Sequence, residues 1–113
     1  MFNRFKKKTQ TTSVRSLFDV ADFVDFMIIS LTSGQTIPGA FTEARQALLD
    51  SEVQPYANRV IELYGMGSSF YEAILDARAV CDHPFFTQVL DALEVSLKMG
   101  TNLADSLNRW VKI

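Results

Sequence analysis

The sequence predicts an all-α fold, a six-helix antiparallel bundle built from helical hairpins. Three observations predict it. First, one pattern returns at a fixed period. Gly34-Gln35-Thr36-Ile37, Gly67-Ser68-Ser69-Phe70 and Gly100-Thr101-Asn102-Leu103 each read as Gly, any residue, a capping-type polar residue and an apolar residue, with the glycines 33 residues apart. A period in this range marks a stack of helical hairpins. Second, apolar residues between these motifs recur at helical spacing. Third, no segment shows strand alternation bounded by hairpin signals.

The similarity extends beyond the motif. Leu31, Tyr64 and Leu97 stand before the three glycines, and Ala40-Phe41, Ala73-Ile74 and Ser106-Leu107 follow them in phase. Each part has a physical job. A Gly just past a helix takes the left-handed conformation that closes the last turn. The side-chain oxygens of Thr36, Ser69 and Asn102 accept N–H groups at a new helix start, and Ser69-x-x-Glu72 reads as a capping box. Gly34, Thr36, Gly67, Ser69, Gly100 and Asn102 are thus expected to be structural corner residues. Three ordinary helix corners are the plain alternative. The tetratricopeptide and ankyrin signatures that share this period are absent.

Residues 1–13 contain Lys6-Lys7-Lys8-Thr9-Gln10-Thr11-Thr12-Ser13, lack apolar periodicity, and predict a flexible basic arm before a helical domain over 14–113. The first helix is predicted from Val14 to Thr32, with Leu17, Val20, Val24, Met27, Ile28 and Leu31 on one face. After the Gly34 corner, with Pro38 suited to a first turn, the second runs from Ile37 to Leu49. Asp50-Ser51 starts the third, which reaches about Tyr64 with Pro55 tolerated in its first turn. The fourth opens at Ser69 and ends near Val80, and Cys81-Asp82-His83-Pro84 forms the next corner. The fifth carries Phe85, Phe86, Val89, Leu90, Leu93 and Leu97 up to Gly100, and the sixth runs from Asn102 to Ile113.

A length of 113 residues suits one domain with one modest core. Its 48% hydrophobic and 12% aromatic content excludes a disordered chain, and nine Phe point to a Phe- and Leu-rich interior. No run approaches the roughly 18–20 apolar residues of a membrane span, and Asp25 breaks the best stretch, Phe23 to Leu31. The charged start has no apolar region behind it, so no secretory signal is expected. Residues 1–13 hold four basic and no acidic residues, while residues 14–113 hold seven basic and thirteen acidic. A cationic arm thus leads an acidic body. The single Cys81 cannot form an internal disulfide, which fits a reducing compartment.

Four segments taken in order carry a resemblance. Leu31-Thr32-Ser33-Gly34-Gln35-Thr36-Ile37-Pro38-Gly39-Ala40-Phe41 comes first, then Met66-Gly67-Ser68-Ser69-Phe70-Tyr71-Glu72-Ala73-Ile74. Asp82-His83-Pro84-Phe85-Phe86 and Met99-Gly100-Thr101-Asn102-Leu103-Ala104-Asp105-Ser106-Leu107 follow. In this order they resemble the type II secretion system F domain, the cytoplasmic helical domain of inner-membrane platform proteins of type II secretion, type IV pilus and Tad-like systems. The resemblance implies a six-helix bundle and a scaffold without catalysis of its own. It implies a secretion or assembly ATPase and pilin-like subunits as partners, homo-oligomers, and membrane attachment through flanking helices. This chain carries no such helix, which predicts an excised domain or a soluble relative.

Among candidate contact residues, Asp19, Asp22 and Asp25 share one face of the first helix, with Phe18, Phe26 and Ile29 projecting beside them. This mixed stripe is a candidate docking surface for a partner or a second copy. The alternative is a helix buried on both sides with the aspartates at its edge. Carboxylates also suit hard divalent cations at a symmetric interface, but no base or nucleophile is spaced for catalysis. Arg4, Lys6, Lys7 and Lys8, with Phe2 and Phe5, are candidate contacts for anionic lipid headgroups or simply a solvated tail. Four such charges leading an acidic chain argue against nucleic acid. The lone His83 has no partner at zinc-ligand spacing and is expected at a cap or the surface. Cys81 is expected to be a buried small residue, and Phe86 and Trp110 to be packing residues. Gly65-Met66-Gly67 lacks the Lys-Ser/Thr ending of a phosphate loop, so no cofactor is expected. The rival to a platform domain is a soluble helical adaptor or regulator acting by protein–protein contact.

Overall fold

The computed structural model describes residues 13–111. Six α-helices follow in order: α1 (Val14–Thr32), α2 (Ile37–Ala44), α3 (Gln54–Gly65), α4 (Phe70–Val80), α5 (Pro84–Met99) and α6 (Leu103–Val111). A 3₁₀ turn, Arg45–Leu48, extends α2. No strand occurs among the described residues, so the all-α expectation holds.

All three glycine corners close as their spacing predicts. Gly34, Gly67 and Gly100 have φ of +103°, +111° and +74°. At the first two, the glycine N–H and the next N–H turn back in the paired Schellman pattern: Gly34 to Leu31 O and Gln35 to Ser30 O, then Gly67 to Tyr64 O and Ser68 to Leu63 O. The third corner is simpler, with the Gly100 N–H reaching the Ser96 carbonyl at 2.9 Å. The capping residues then start the next helices. Thr36 Oγ1 accepts from Gly39 N at 3.1 Å, Ser69 Oγ from Glu72 N at 3.0 Å, and Asn102 Oδ1 from Asp105 N at 3.0 Å. A Cβ added at Gly67 would meet no atom within 4 Å, so the expected cost of a side chain there comes chiefly from the positive φ. Gly67→Val is expected to lose about 1–3 kcal/mol. Thermal melting followed by circular dichroism measures it, and an unchanged midpoint would contradict a left-handed residue at this corner.

Three boundaries differ from expectation, each for a local reason. Ser13, assigned to the arm, is the N-cap of α1: its Oγ accepts from Ser16 N at 3.0 Å and donates to Glu52 Oε2 at 2.8 Å. The second helix does not continue to Leu49 as α-helix. It tightens at Arg45, burying Leu48 and leaving Leu49 exposed. The third helix does not open at Asp50-Ser51. Asp50 takes φ +64°, and Ser51 carries a turn in which its carbonyl accepts Gln54 N at 3.1 Å. A start at Asp50 would put Pro55 in the second turn, where its missing N–H and its ring break the ladder. A start at Gln54 puts it in the first turn, where neither matters.

The core is continuous and joined by aromatic rings. Phe23 of α1 meets Phe41 of α2 with ring centres 5.2 Å apart, and Phe86 of α5 at 5.6 Å, both edge to face. Phe41 meets Phe70 of α4 at 5.6 Å, and Phe70 meets Tyr64 of α3 at 5.5 Å. Five helices thus share one chain of T-shaped contacts, the geometry that ring quadrupoles favour. Buried Leu103 and Leu107 add α6 to the same cluster. Each glycine corner joins two helices that pack on each other, and α1 packs in addition on α5 and α6. The hairpins therefore close into a bundle, whereas an open solenoid would have each unit touch only its neighbours.

Candidate functional site

The exposed side of α1 is the main candidate surface. Ser16, Val20, Phe23, Val24, Met27 and Ser30 are buried, which fixes the inward side of the helix. Phe18, Phe26 and Ile29 lie on the outward side and remain 63%, 49% and 65% exposed. Val14 extends the stripe towards the start of the helix. Asp22 and Asp25 are exposed between these apolar residues. Neither forms an ion pair with another described residue. Among the described residues, nothing buries this outward side, in contrast to the alternative of a helix buried on both sides. Asp19 separates from the other two aspartates. It is half-buried and lines a small groove of about 170 Å³ with Ser13, Arg15, Ser16, Asp50, Ser51 and Glu52.

A second polar arrangement, unforeseen in the sequence, joins the starts of α1 and α5. His83 caps α5: its Nδ1 accepts the Phe86 N–H at 3.2 Å. Its Nε2 lies 3.0 Å from Ser16 Oγ. The Ser16 hydroxyl donates to the Ser13 carbonyl at 2.9 Å. Nδ1 is therefore an acceptor, Nε2 carries the hydrogen and donates to Ser16, and the ring is the neutral Nε2–H tautomer assigned by its network. Burial pulls the His83 pKa below that of an ordinary histidine, against the weaker opposing pull of Glu52 and Asp82. The cap expected for His83 is present, but the ring is buried rather than at the surface.

A serine beside a histidine invites comparison with a nucleophile and its base. The polarity here is reversed. A general base presents a lone pair to the hydroxyl, whereas Nε2 of His83 presents a hydrogen. The pair acts as a tie between helices, and both residues are buried.

The remaining polar contacts hold helices together. Ser30 Oγ donates to Glu43 Oε1 at 3.0 Å and Gln35 Nε2 to Glu43 Oε2 at 3.0 Å, linking α1 and its corner to α2. Tyr56 O–H donates to Asp82 at 2.8 Å; burial, then that bond, raises the Tyr56 pKa. Arg59 pairs with Asp76, and Arg78 with Asp91 and Glu94, across neighbouring helices. The Arg59 guanidinium holds the Asp76 carboxyl below its usual range. All of these charges are partly exposed, so each pair contributes little to stability.

Phe86 lies in the core as expected, while Cys81 is half-buried rather than buried. The structure brings no three His, Cys, Asp or Glu together for a metal among the described residues. No described helix is long and apolar enough to cross a membrane. The candidate lipid contacts Arg4, Lys6, Lys7 and Lys8 lie outside the described residues, as does the side chain of Trp110. An open groove of about 410 Å³ lies between the first corner and the start of α6, lined by Leu31, Thr32, Ile37, Asn102, Leu103, Ala104 and Asp105. Comparison of the chain with protein-family models, with curated proteins and with solved structures found no match.

Proposed function

We propose that this chain is a non-catalytic interaction scaffold: the cytoplasmic domain of an inner-membrane platform protein in a type II secretion, type IV pilus or Tad-like system. In that role it links a secretion ATPase to pilin-like subunits and assembles with copies of itself, at the cytoplasmic face of the bacterial inner membrane. The observation that carries the scaffold part is the outward side of α1, where Phe18, Phe26 and Ile29 stand exposed beside Asp22 and Asp25, which form no ion pair with another described residue. Exposed apolar residues grouped on one face mark interaction surfaces. The platform part is supported by the ordered F-domain-like segments of the sequence, whose Gly34, Gly67 and Gly100 close three helix corners. Catalysis has less support, since the buried Ser16–His83 pair points its hydrogen the wrong way for a nucleophile.

Direct binding tests the proposal. The purified chain is titrated with the secretion ATPase encoded beside its gene. Saturable binding at micromolar concentration is the expected result. Absence of binding at high micromolar concentration, with both proteins folded, would overturn the platform reading and favour a soluble adaptor.

A further inference from the structure

From the chemistry of the α1 face, we infer that its occupant is a basic amphipathic helical segment of a partner protein; the inference rests on the scaffold reading and names the surface and partner chemistry it leaves open. The face has two components. Phe18 and Ile29 stand about 16 Å apart along the helix axis, roughly three turns, with Phe26 beside them. A helix laid against this stripe would place apolar side chains at i, i+4, i+7 and i+11 on it. Asp22 and Asp25 interrupt the stripe on its outward side and have no cation within the described chain; Arg15 stands nearer the start of α1. Lysine or arginine residues flanking the partner's apolar positions supply that cation and keep the two carboxylates from being desolvated unpaired.

Two other occupants fit worse. A second copy docked by two-fold symmetry, α1 on α1, would bring the aspartates of one protomer against those of the other. Like charges buried together oppose association. An anionic lipid surface meets the same repulsion, amplified by the body as a whole: residues 13–111 carry thirteen acidic side chains against six of Lys and Arg.

The test uses the full-length ¹⁵N-labelled chain and a synthetic helical peptide of four turns, leucine on one face and lysine flanking it. A second peptide carries glutamate in place of each lysine. The lysine peptide is expected to bind saturably and to shift the amide signals of Phe18, Asp22, Asp25, Phe26 and Ile29. Asp22→Lys combined with Asp25→Lys is expected to weaken it about tenfold or more, an effect of the size that losing a desolvated charge pair produces. Both positions are exposed, so the variant keeps its fold, which its unchanged spectrum elsewhere verifies. Four results would overturn the inference. The glutamate peptide binds equally well; the shifts fall elsewhere on the body; the unliganded chain is a dimer that Phe18→Ser with Ile29→Ser dissolves; or the peptide binds only after Lys6, Lys7 and Lys8 are changed to glutamine, which would make the chain's own basic residues the occupant. Each leaves the scaffold reading to be decided separately by ATPase binding.

Discussion

Phe23→Ala is expected to destabilise the domain by about 3–5 kcal/mol, the loss typical of a deleted buried ring. Domains of this size hold about 5–15 kcal/mol in total, so the variant would lose a large share of its stability. Phe23 is wholly inaccessible to solvent and is the junction where the rings of Phe41 and Phe86 meet α1. Its removal takes away apolar burial and two edge-to-face contacts together, and it leaves a hole that Phe41 and Phe86 cannot fill without leaving their own partners. Urea denaturation followed by far-ultraviolet circular dichroism measures the loss. Phe23→Leu, which keeps most of the volume, is expected to cost clearly less. A loss for Phe23→Ala under about 1 kcal/mol would remove Phe23 from the centre of the core.

The second large effect follows from His83. In the unfolded chain its imidazole takes up a proton near pH 6.5. In the folded chain burial disfavours that proton, and a hydrogen on Nδ1 would face the Phe86 N–H that it now accepts. Below about pH 6.5 the unfolded state therefore binds more protons than the folded one, and stability falls with pH until the folded histidine also titrates. Above that pH both forms are neutral, and His83 contributes no pH dependence. This is the chain's single histidine, so one variant isolates the effect. His83→Asn keeps a side-chain oxygen for the Phe86 N–H and has no proton to take up. The urea midpoint of the natural chain is expected to drop between about pH 7 and pH 5, and that of His83→Asn to drop distinctly less. Equal slopes would mean that His83 titrates alike in both states. His83→Ala, which removes the cap and the tie to Ser16 at any pH, is expected to cost about 1–3 kcal/mol.

Much of the helical frame is legible because its signals are local. Gly34, Gly67 and Gly100 need only their own backbone freedom to end a helix, and Thr36, Ser69 and Asn102 need only a neighbouring N–H to start one. The segment between α2 and α3 is less legible because its signals conflict. Asp50 and Ser51 look like caps, while Pro55 vetoes the helix they would begin. The candidate surface is legible in part. Spacing puts Phe18, Asp22, Asp25, Phe26 and Ile29 on one side of α1, but whether that side meets the core depends on how α2, α5 and α6 surround it. The Ser16–His83 tie joins residues 67 apart, and no periodicity within one helix carries information about such a pair.

Closure of α1 onto α6 makes the number of hairpins a property of the fold. In an open array a unit can be duplicated or lost, because each new unit offers the surface it covers. Here α1 and α6, the first and last described helices, cover each other, so the surface an open array would offer its next unit is already occupied within the fold. The same contact spans nearly the whole described chain, and it raises the mean sequence separation of native contacts above that of a row of local hairpins. Folding is then expected to finish in one concerted step when the ends come together, with no stable hairpin-sized fragment, although each hairpin carries its own helix start and stop.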